Sequence, residues 1–469
     1  MSIFIDREKE LLVLNERFRS NSAEFIILYG RRRIGKSELI EQFLKSARGI
    51  RFLAREESRH LQLKKFSLTC AEYFFEDFLK TTSFSDWDGF FSYLADRTGE
   101  RLVVAIDEFP YLVKEDPSLP SVIQESWDRR LKDSNMVLIL CGSSISMMEE
   151  LTMQHKSPLF GRRTGQILLR GLRFVDILDY TGDFVTAVQM YSVFGGTPAY
   201  FMATEKGKSV FENIVQRILS VDAILYKDVE FVLRMELSEP RYYFSILLSI
   251  AKGNNRIGLI MNDCGLSKGL ITKYLSVLID LQLVQRRVPV TETYKSRKGL
   301  YILSDNLFDF WFRFVHPNME RIERGEGDMV LESSVRPQFS SYTGKHFEAI
   351  VEDLFLEFNP QGLLPFRFET IGSWWDKGVE IDLVALSETE RACLFCECKW
   401  QDAVNAEQVL SLLKDKAAGV PWNKEKRSEY FCIVARSFSV RCAGADRTDH
   451  ILCLDADDLA RLHQQCRAG

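Results

Sequence analysis

The sequence predicts an α/β protein: a parallel sheet with helices on both faces, then a helical lid, a winged helix-turn-helix and a second, C-terminal α/β domain. Three observations lead there. Up to about residue 170, short apolar runs alternate with helical patterns, the signature of a parallel sheet. Between residues 25 and 44 an apolar run, a glycine-bounded loop and an amphipathic run follow one another directly. Near the C-terminus, two strand-like runs joined by a turn carry charged residues two apart. A chain of 469 residues with 46% hydrophobic content has room for several domains, each with its own core.

Phe25-Ile26-Ile27-Leu28-Tyr29 reads as a buried strand, and Glu38 to Leu44 has helical apolar spacing. Between them, Gly30-Arg31-Arg32-Arg33-Ile34-Gly35-Lys36-Ser37 fits the phosphate-binding pattern GxxxxGK[S/T] without a mismatch. Gly35 lets successive N–H groups and the helix N-terminus point at phosphate oxygens, where the helix dipole favours an anion. Lys36 is then expected to reach the β- and γ-phosphates of ATP, and the Ser37 hydroxyl to ligate Mg²⁺. The competing reading is a glycine turn that happens to precede Lys-Ser.

Leu102 to Ile106 forms a second strand-like run ending in Asp107-Glu108. This looks like a Walker B motif: Asp107 holds Mg²⁺ through water, and Glu108 polarises the attacking water as general base. Met136 to Cys141 is another buried strand, followed by Gly142-Ser143-Ser144. Ser143 either senses the γ-phosphate or belongs to an ordinary strand-end turn. Arg162 and Arg163 follow, either as a finger on ATP, in cis or from a neighbouring subunit of a homo-oligomer, or as a solvated basic turn.

At this point the chain resembles the AAA+-like, signal-transduction-type P-loop ATPases of archaea and bacteria. The opening Phe4-Ile5-Asp6-Arg7-Glu8-Lys9-Glu10-Leu11 looks like that family's leader, and Gly195-Gly196-Thr197-Pro198 looks like its GGxP element. The resemblance implies a P-loop NTPase core over residues 1–170 and places Pro198 near the adenine. A Gly-Gly-x-Pro sequence is also simply a good turn.

Residues 171–237 contain Phe174 to Leu178 and Val210 to Val215, which suggest a helical lid. Residues 238–303 read as a winged helix-turn-helix, with helices over Tyr242 to Ala251 and Ile257 to Asn262, and a third after an N-cap at Ser267. Ile271, Leu275, Leu278 and Ile279 form the buried stripe of that third helix and leave Lys268 and Lys273 outside. Leu283 to Arg287 and Leu300 to Leu303 are the expected wing strands, and the loop between them carries Lys295, Arg297 and Lys298. These five bases are the candidates for DNA phosphates. A nucleotide-state relay or a protein contact is the alternative role for such a module. Residues 304–335 are expected to be a linker.

In residues 336–469, Trp374 to Ala385 leads after a turn into Cys393 to Trp400, so that Asp382 on one strand precedes Glu397-Cys398-Lys399 on the next. This resembles the PD-(D/E)xK pattern of restriction-endonuclease-like nucleases, with Ile381-Asp382 in place of the leading Pro-Asp. Residues 397 and 399 sit two apart on a strand, hence on one face, and Asp382 comes in from the adjoining strand of a hairpin. Asp382 and Glu397 are then expected to coordinate Mg²⁺, and Lys399 to orient or deprotonate the attacking water. Gly344 to Val351 looks like the helix that contributes a further acid, Glu348. A surface hairpin with ordinary charges is the competing reading, and neighbouring His346 reads as a helix surface residue.

A net charge of −5 gives no global footprint for nucleic acid, so any DNA contact must be local. No apolar run reaches the roughly 18 residues of a membrane span, and Met1-Ser2-Ile3 opens without a basic-then-apolar signal, so a cytoplasmic location is expected. Of ten cysteines, seven follow residue 390. Cys393 and Cys396 lie three apart on a strand, on opposite faces, which favours reduced buried thiols over zinc. The sequence thus points to an ATP-hydrolysing switch linked to a Mg²⁺-dependent nuclease-like domain acting on DNA. The alternative is a regulatory ATPase whose nuclease-like domain is inert and docks DNA or protein.

Overall fold

The computed structural model describes residues 5, 7–237, 239–442 and 450–468, and divides into two compact units, 1–171 and 172–469. Phe4 and Asp6 of the leader, and the opening Met1-Ser2-Ile3, lie outside the described residues.

The first unit is built on β1 (Glu24–Tyr29), β2 (Gly49–Leu53), β3 (Leu102–Asp107), β4 (Met136–Gly142) and β5 (Gly165–Leu168). They pair in parallel in the order β2-β3-β4-β1-β5. Every residue of β1, β3 and β4 is buried, because helices cover both faces, which is why these strands read as unbroken apolar runs. Phe25, Ile27, Phe52, Phe66, Phe90 and Leu138 belong to one core, and Ile26, Leu28, Leu39, Phe43, Val103 and Ile139 to the other. Neighbouring parallel strands β1, β3 and β4 end together, so the residues that follow them meet at one edge of the sheet.

The second unit opens with helices Phe174–Thr181 and Phe184–Phe194, and later has three helices, Pro240–Ala251, Ile257–Cys264 and Lys268–Asp280. After these, β6 (Val284–Arg287) and β7 (Leu300–Leu303) form an antiparallel hairpin. Ile271, Tyr274, Leu275 and Leu278 are buried on the third helix, whereas Ile279 is only half-buried. Ser267 precedes that helix in extended backbone, but its hydroxyl caps no N–H.

The C-terminal sheet comprises β8 (Thr370–Asp376), β9 (Val379–Ser387), β10 (Ala392–Lys399), β12 (Ser428–Ala435) and β14 (Ile451–Leu454), ordered β14-β12-β10-β9-β8. The strand β9 runs antiparallel to both its neighbours, β8 and β10, and β10, β12 and β14 run parallel. A short pair, β11 (Val404–Asn405) with β13 (Phe438–Val440), stands apart. Phe347, Val351 and Phe355 of helix Arg336–Phe358 pack against Leu383, Leu394 and Cys396 on one sheet face, and Leu410 and Leu413 pack with Phe395 and Ile433 on the other. Cys396 and Cys393 fall in those two different cores, as strand periodicity requires.

Two expectations about organisation are corrected. The segment 304–335 is not a linker: it is helical in short pieces, including five-residue π-helical turns at Trp311–Val315 and Leu331–Val335, and runs directly into Arg336–Phe358. Phe310, Trp311, Phe314 and Val315 are buried, and Trp311 donates its indole N–H to the Tyr226 carbonyl at 2.6 Å. An aromatic run of this density cannot be left in water. The expected lid, in turn, belongs by its packing to the second unit, where Phe174, Leu178, Phe184 and Val188 share a core with Phe347, Leu354 and Leu459. His463 closes that core's rim by bridging Glu357 at 3.1 Å and Asp179 at 2.8 Å. Among the described residues, no helix is long and apolar enough to cross a membrane.

If 304–335 is core rather than tether, Trp311→Ala destabilises the second unit by about 3–5 kcal/mol through cavity formation and the lost indole bond. Glu320→Ala, on the same segment but exposed, stays within about 0.5 kcal/mol of wild type. Urea titration followed by tryptophan fluorescence measures both, and equal midpoints for the two variants would restore the linker reading.

Candidate nucleotide site and acidic cluster

At the end of β1 the chain coils around the Lys36 ammonium, which donates to the carbonyls of Gly30 at 2.9 Å and Arg31 at 3.0 Å. Two glycines make the coil sterically allowed. Gly35 takes a left-handed φ of 90°, and a Cβ on Gly30 would stand 2.4 Å from the Leu169 carbonyl oxygen. Lys36 and Ser37 then open helix Lys36–Leu44, whose first-turn N–H groups face the loop.

Ser37 donates its hydroxyl to Asp107 Oδ2 at 2.6 Å, joining the loop to the tip of β3. Arg51, on β2, reaches the same oxygen at 3.3 Å and is itself held by Glu41 at 2.8 Å. Asp107 is wholly buried, so these partners compensate a carboxylate that water cannot reach. The donor set suits Mg²⁺: a hydroxyl and a carboxylate, both hard oxygen ligands, within hydrogen-bond distance of each other.

Glu108 follows Asp107 with φ 55° and ψ 40°, a left-handed conformation that costs a non-glycine residue about 1–2 kcal/mol. The strain turns its side chain toward β4, where Ser143 donates its hydroxyl to Glu108 Oε2 at 3.0 Å. Ser143 is therefore more than a strand-end turn residue: it holds the candidate base. Arg32 is anchored to the Tyr111 hydroxyl at 3.0 Å. Arg33 takes a left-handed φ of 68° on the way to Ile34, whose side chain is buried.

The two finger candidates separate. Arg162 is committed locally, with Nη2 2.7 Å from Asp128 Oδ2 and Nη1 2.8 Å from the Pro158 carbonyl. Arg163 has a buried Nη1 without a hydrogen-bond partner and lies close enough to the Tyr29 hydroxyl to oppose the rise that burial and Glu149 impose on its pKa. Pro198 begins helix Pro198–Met202 in the second unit, after a close chain approach in which a Cβ on Gly196 would meet the Leu172 carbonyl at 1.9 Å. Two contributors escaped the sequence reading. Arg51 is one. The other is Arg7 of the leader, a buried residue whose Nη2 donates to the Ile34 carbonyl at 3.1 Å and the Arg170 carbonyl at 2.7 Å.

In the C-terminal sheet, β9 and β10 pair up to Leu383 opposite Cys396, so Asp382 and Glu397 continue past the last rung together. Asp382 Oδ2 accepts the Cys398 backbone N–H at 2.8 Å. Lys399 reaches Glu397 Oε1 at 2.8 Å, as the two-residue strand period demands. A residue that sequence reasoning missed completes the cluster: Lys416, on helix Ala406–Ala417, donates to both Glu397 oxygens at 2.9 Å. Burial and the Glu397 charge push Asp382 up to about 6. Burial, Asp382 and Glu380 push Glu348 up to about 8, so Glu348 faces the same field. Burial works against the Lys399 ammonium, but the Glu397 bond outweighs it and raises its pKa.

Mg²⁺ does not fit this second arrangement as it stands. Both Glu397 oxygens carry ammonium hydrogen bonds, and among the described residues no three His, Cys, Asp or Glu side chains converge as metal ligands. The nearby thiols are free and buried, with Cys393 and Cys398 pushed up to about 12 chiefly by burial. His346, half-buried rather than on the surface, faces Asp309 at 3.2 Å. Of the five DNA candidates, Lys268, Lys273, Lys295 and Arg297 are exposed. Lys298 is not available to a phosphate in this form, because it pairs with Asp376 at 3.0 Å and Glu292 at 3.1 Å.

A family described as an ATPase domain predominantly from Archaea matches residues 4–202, reaching past the first unit to include Gly195 to Pro198. A second, described as archaeal and bacterial proteins of unknown function, matches residues 311–410, which span the buried aromatic run and the Asp382 hairpin. An uncharacterized protein of Methanocaldococcus jannaschii is 37% identical over 406 residues, covering 85% of this chain and 88% of that one. An uncharacterized ATP-binding protein of the same organism is 48% identical over 44 residues, 9% of this chain and 75% of that one. Among solved structures, the Walker-type ATPase PABY2304 of Pyrococcus abyssi superposes with a TM-score of 0.50 at 20% identity, over 66% of this chain and 96% of that one, a likeness of fold. With a relative 37% identical along most of both chains, and the ATPase match running through the phosphate loop, Asp107 and Glu108, the chain belongs to the archaeal-type ATPase family.

Proposed function

We propose that the protein is an ATP-binding and ATP-hydrolysing cytoplasmic switch coupled to a nuclease-like C-terminal domain that acts on DNA. The observation that carries the ATPase part is the joining of the two strand tips: Lys36 buried in its loop, and Ser37 bonded to Asp107 at 2.6 Å next to Glu108. Lys36 exchanges its loop carbonyls for the β- and γ-phosphate oxygens of ATP. Mg²⁺ held through Ser37 and Asp107 supplies charge neutralisation of those phosphates. Glu108, oriented by Ser143, accepts the proton of the attacking water, and Arg163 supplies positive charge to the transferred phosphoryl.

For the rest of the chain, the three helices and the β6–β7 hairpin support a winged helix, with Lys268, Lys273, Lys295 and Arg297 exposed for phosphates. Asp382, Glu397, Lys399 and Glu348 support a PD-(D/E)xK-type domain by their strand and helix positions. The Lys416 bonds to Glu397 favour a second reading, in which this domain is inert and docks DNA or protein.

Lys36→Ala is expected to abolish tight ATP binding, while Glu108→Gln binds ATP but turns over roughly 10²–10⁴-fold more slowly. Steady-state turnover with a filter-binding control reads both, and wild-type turnover in Glu108→Gln removes Glu108 as the base.

Arg163→Ala lowers turnover without weakening ATP binding, whereas Arg162→Ala acts on stability by releasing Asp128. If Arg163 works across a homo-oligomer, activity per subunit rises with protein concentration. A flat dilution series assigns it to its own subunit.

Asp382→Ala leaves ATP turnover near wild type, since it touches only the C-terminal sheet. Cleavage of plasmid DNA with Mg²⁺ or Mn²⁺ that Asp382→Ala removes establishes the nuclease, and Lys416→Ala, which frees Glu397 Oε2, should then raise it. A wild-type preparation that hydrolyses ATP and cuts nothing in any nucleotide state leaves the docking reading.

A further inference from the structure

Within the second unit, a cleft of about 280 Å³ is lined by Lys252, Arg313 and Lys345 with Leu248, Phe312 and Pro317, and no carboxylate lines it. Asp309 and Glu348 act on Lys345 from outside the cleft, and neither lines it. Arg313 donates one N–H to the Ala251 carbonyl at 3.3 Å, while its buried Nε has no hydrogen-bond partner. Three cations converging without a carboxylate between them repel one another, and that repulsion is relieved by a bound anion. Consistently, burial and the Arg313 charge lower the Lys345 pKa, against the opposing pull of Asp309 and Glu348.

Arg313 and Lys345 also line a larger cavity of about 540 Å³. Its lining includes the rings of Tyr301 and Trp375 and the amides of Asn255 and Gln285, with four acids, Asp309, Glu348, Asp353 and Glu380, and Arg287 along its wall. Its volume falls in the range of about 300–1,000 Å³ typical of ligand sites. The β6–β7 loop is fastened beside it: Val290 N–H donates to the Ser373 carbonyl at 2.9 Å, and the Trp375 indole to the Lys298 carbonyl at 3.2 Å. A cationic cleft adjoining an aromatic cavity has the two chemistries of a nucleotide unit: a phosphate for the guanidinium and ammonium groups, and a π-face for the rings.

We propose that these two spaces form a binding site for a single nucleic-acid strand, with a backbone phosphate on Lys252, Arg313 and Lys345 and a base in the aromatic cavity. Glu348 and Glu380 of the cavity wall adjoin Asp382 on β9, which acts on Glu348. The site deepens the reading of the C-terminal domain as one that acts on nucleic acid, but it does not depend on that domain being able to cut.

The test is fluorescence anisotropy of a labelled oligothymidylate with the full chain, in EDTA and without nucleotide, so that a failed cleavage assay and a failed binding assay are separate results. Lys252→Glu and Lys345→Glu are each expected to weaken binding about tenfold or more and to make its salt dependence shallower by about one phosphate. Lys345→Gln, which removes charge without reversing it, should weaken it by several-fold with an unchanged melting temperature. Lys132→Glu, an exposed reversal in the first unit, should leave it unchanged. Wild-type affinity in the Lys252→Glu, Lys345→Glu double variant overturns the site, as does wild-type protein that binds no strand. Displacement of the strand by thymidine monophosphate or inorganic phosphate at equal concentration overturns it in favour of a small phosphate ligand.

Discussion

The buried carboxylate of Asp107 is the constraint around which the first unit is arranged. It lies at the end of a strand with no exposed residue, and an uncompensated charge there would cost several kcal/mol. Ser37 and Arg51 supply the compensation, and in doing so tie β1, β2 and β3 together at their C-terminal ends. The loop between β1 and its helix can coil tightly because Lys36 fills it from inside and Arg7 pins the Ile34 carbonyl from outside. The same edge carries the strained Glu108, held in place by Ser143 from β4. A site in which Lys36, Ser37, Asp107 and Glu108 are each already hydrogen-bonded is stiff, which is the condition for hydrogen bonds to act on a transition state rather than on the resting enzyme.

What was legible in the sequence was whatever depends on neighbours along the chain. The phosphate loop is eight consecutive residues, and its strand and helix flank it directly. The pairing of Glu397 with Lys399 follows from strand geometry alone, and the meeting of both with Asp382 from a single hairpin. Arg7, Arg51 and Lys416 were not legible because each arrives from a different element, and an arginine or lysine on an amphipathic segment carries no mark of where its far end will settle. The segment 304–335 was misread for the opposite reason. Its charged residues after Glu320 resemble a tether, and the π-helical turns break the 3.6-residue rhythm that would have shown its buried face.

At Glu397 the local balance of charge determines what the C-terminal domain is able to do. One carboxylate between two ammonium groups has both oxygens hydrogen-bonded and one positive charge in excess, and a metal ion would have to displace at least the Lys416 bonds to reach it. Asp382 and Glu348 are pushed in the other direction, toward the protonated form, by burial and by neighbouring acids, Glu397 for Asp382 and Asp382 with Glu380 for Glu348. The cluster thus combines two ammonium groups on Glu397 with two acids held toward protonation. Its resting state is closed to divalent cations without having lost any of the side chains that would receive one.

The shared core of the second unit bears on how such a chain can be assembled from parts. Phe174, Leu178, Phe184 and Val188 lie against the same surface that Phe347, Val351 and Leu354 present from the far side of the sequence, and His463 locks the two stretches at the rim. A piece cut before Arg336 would carry that surface bare into water. The C-terminal domain is therefore not a portable cassette: a gene fusion or truncation that moves it must bring residues from 172 onward with it, so its boundary in evolution is set by packing more than 150 residues upstream of where its own strands begin.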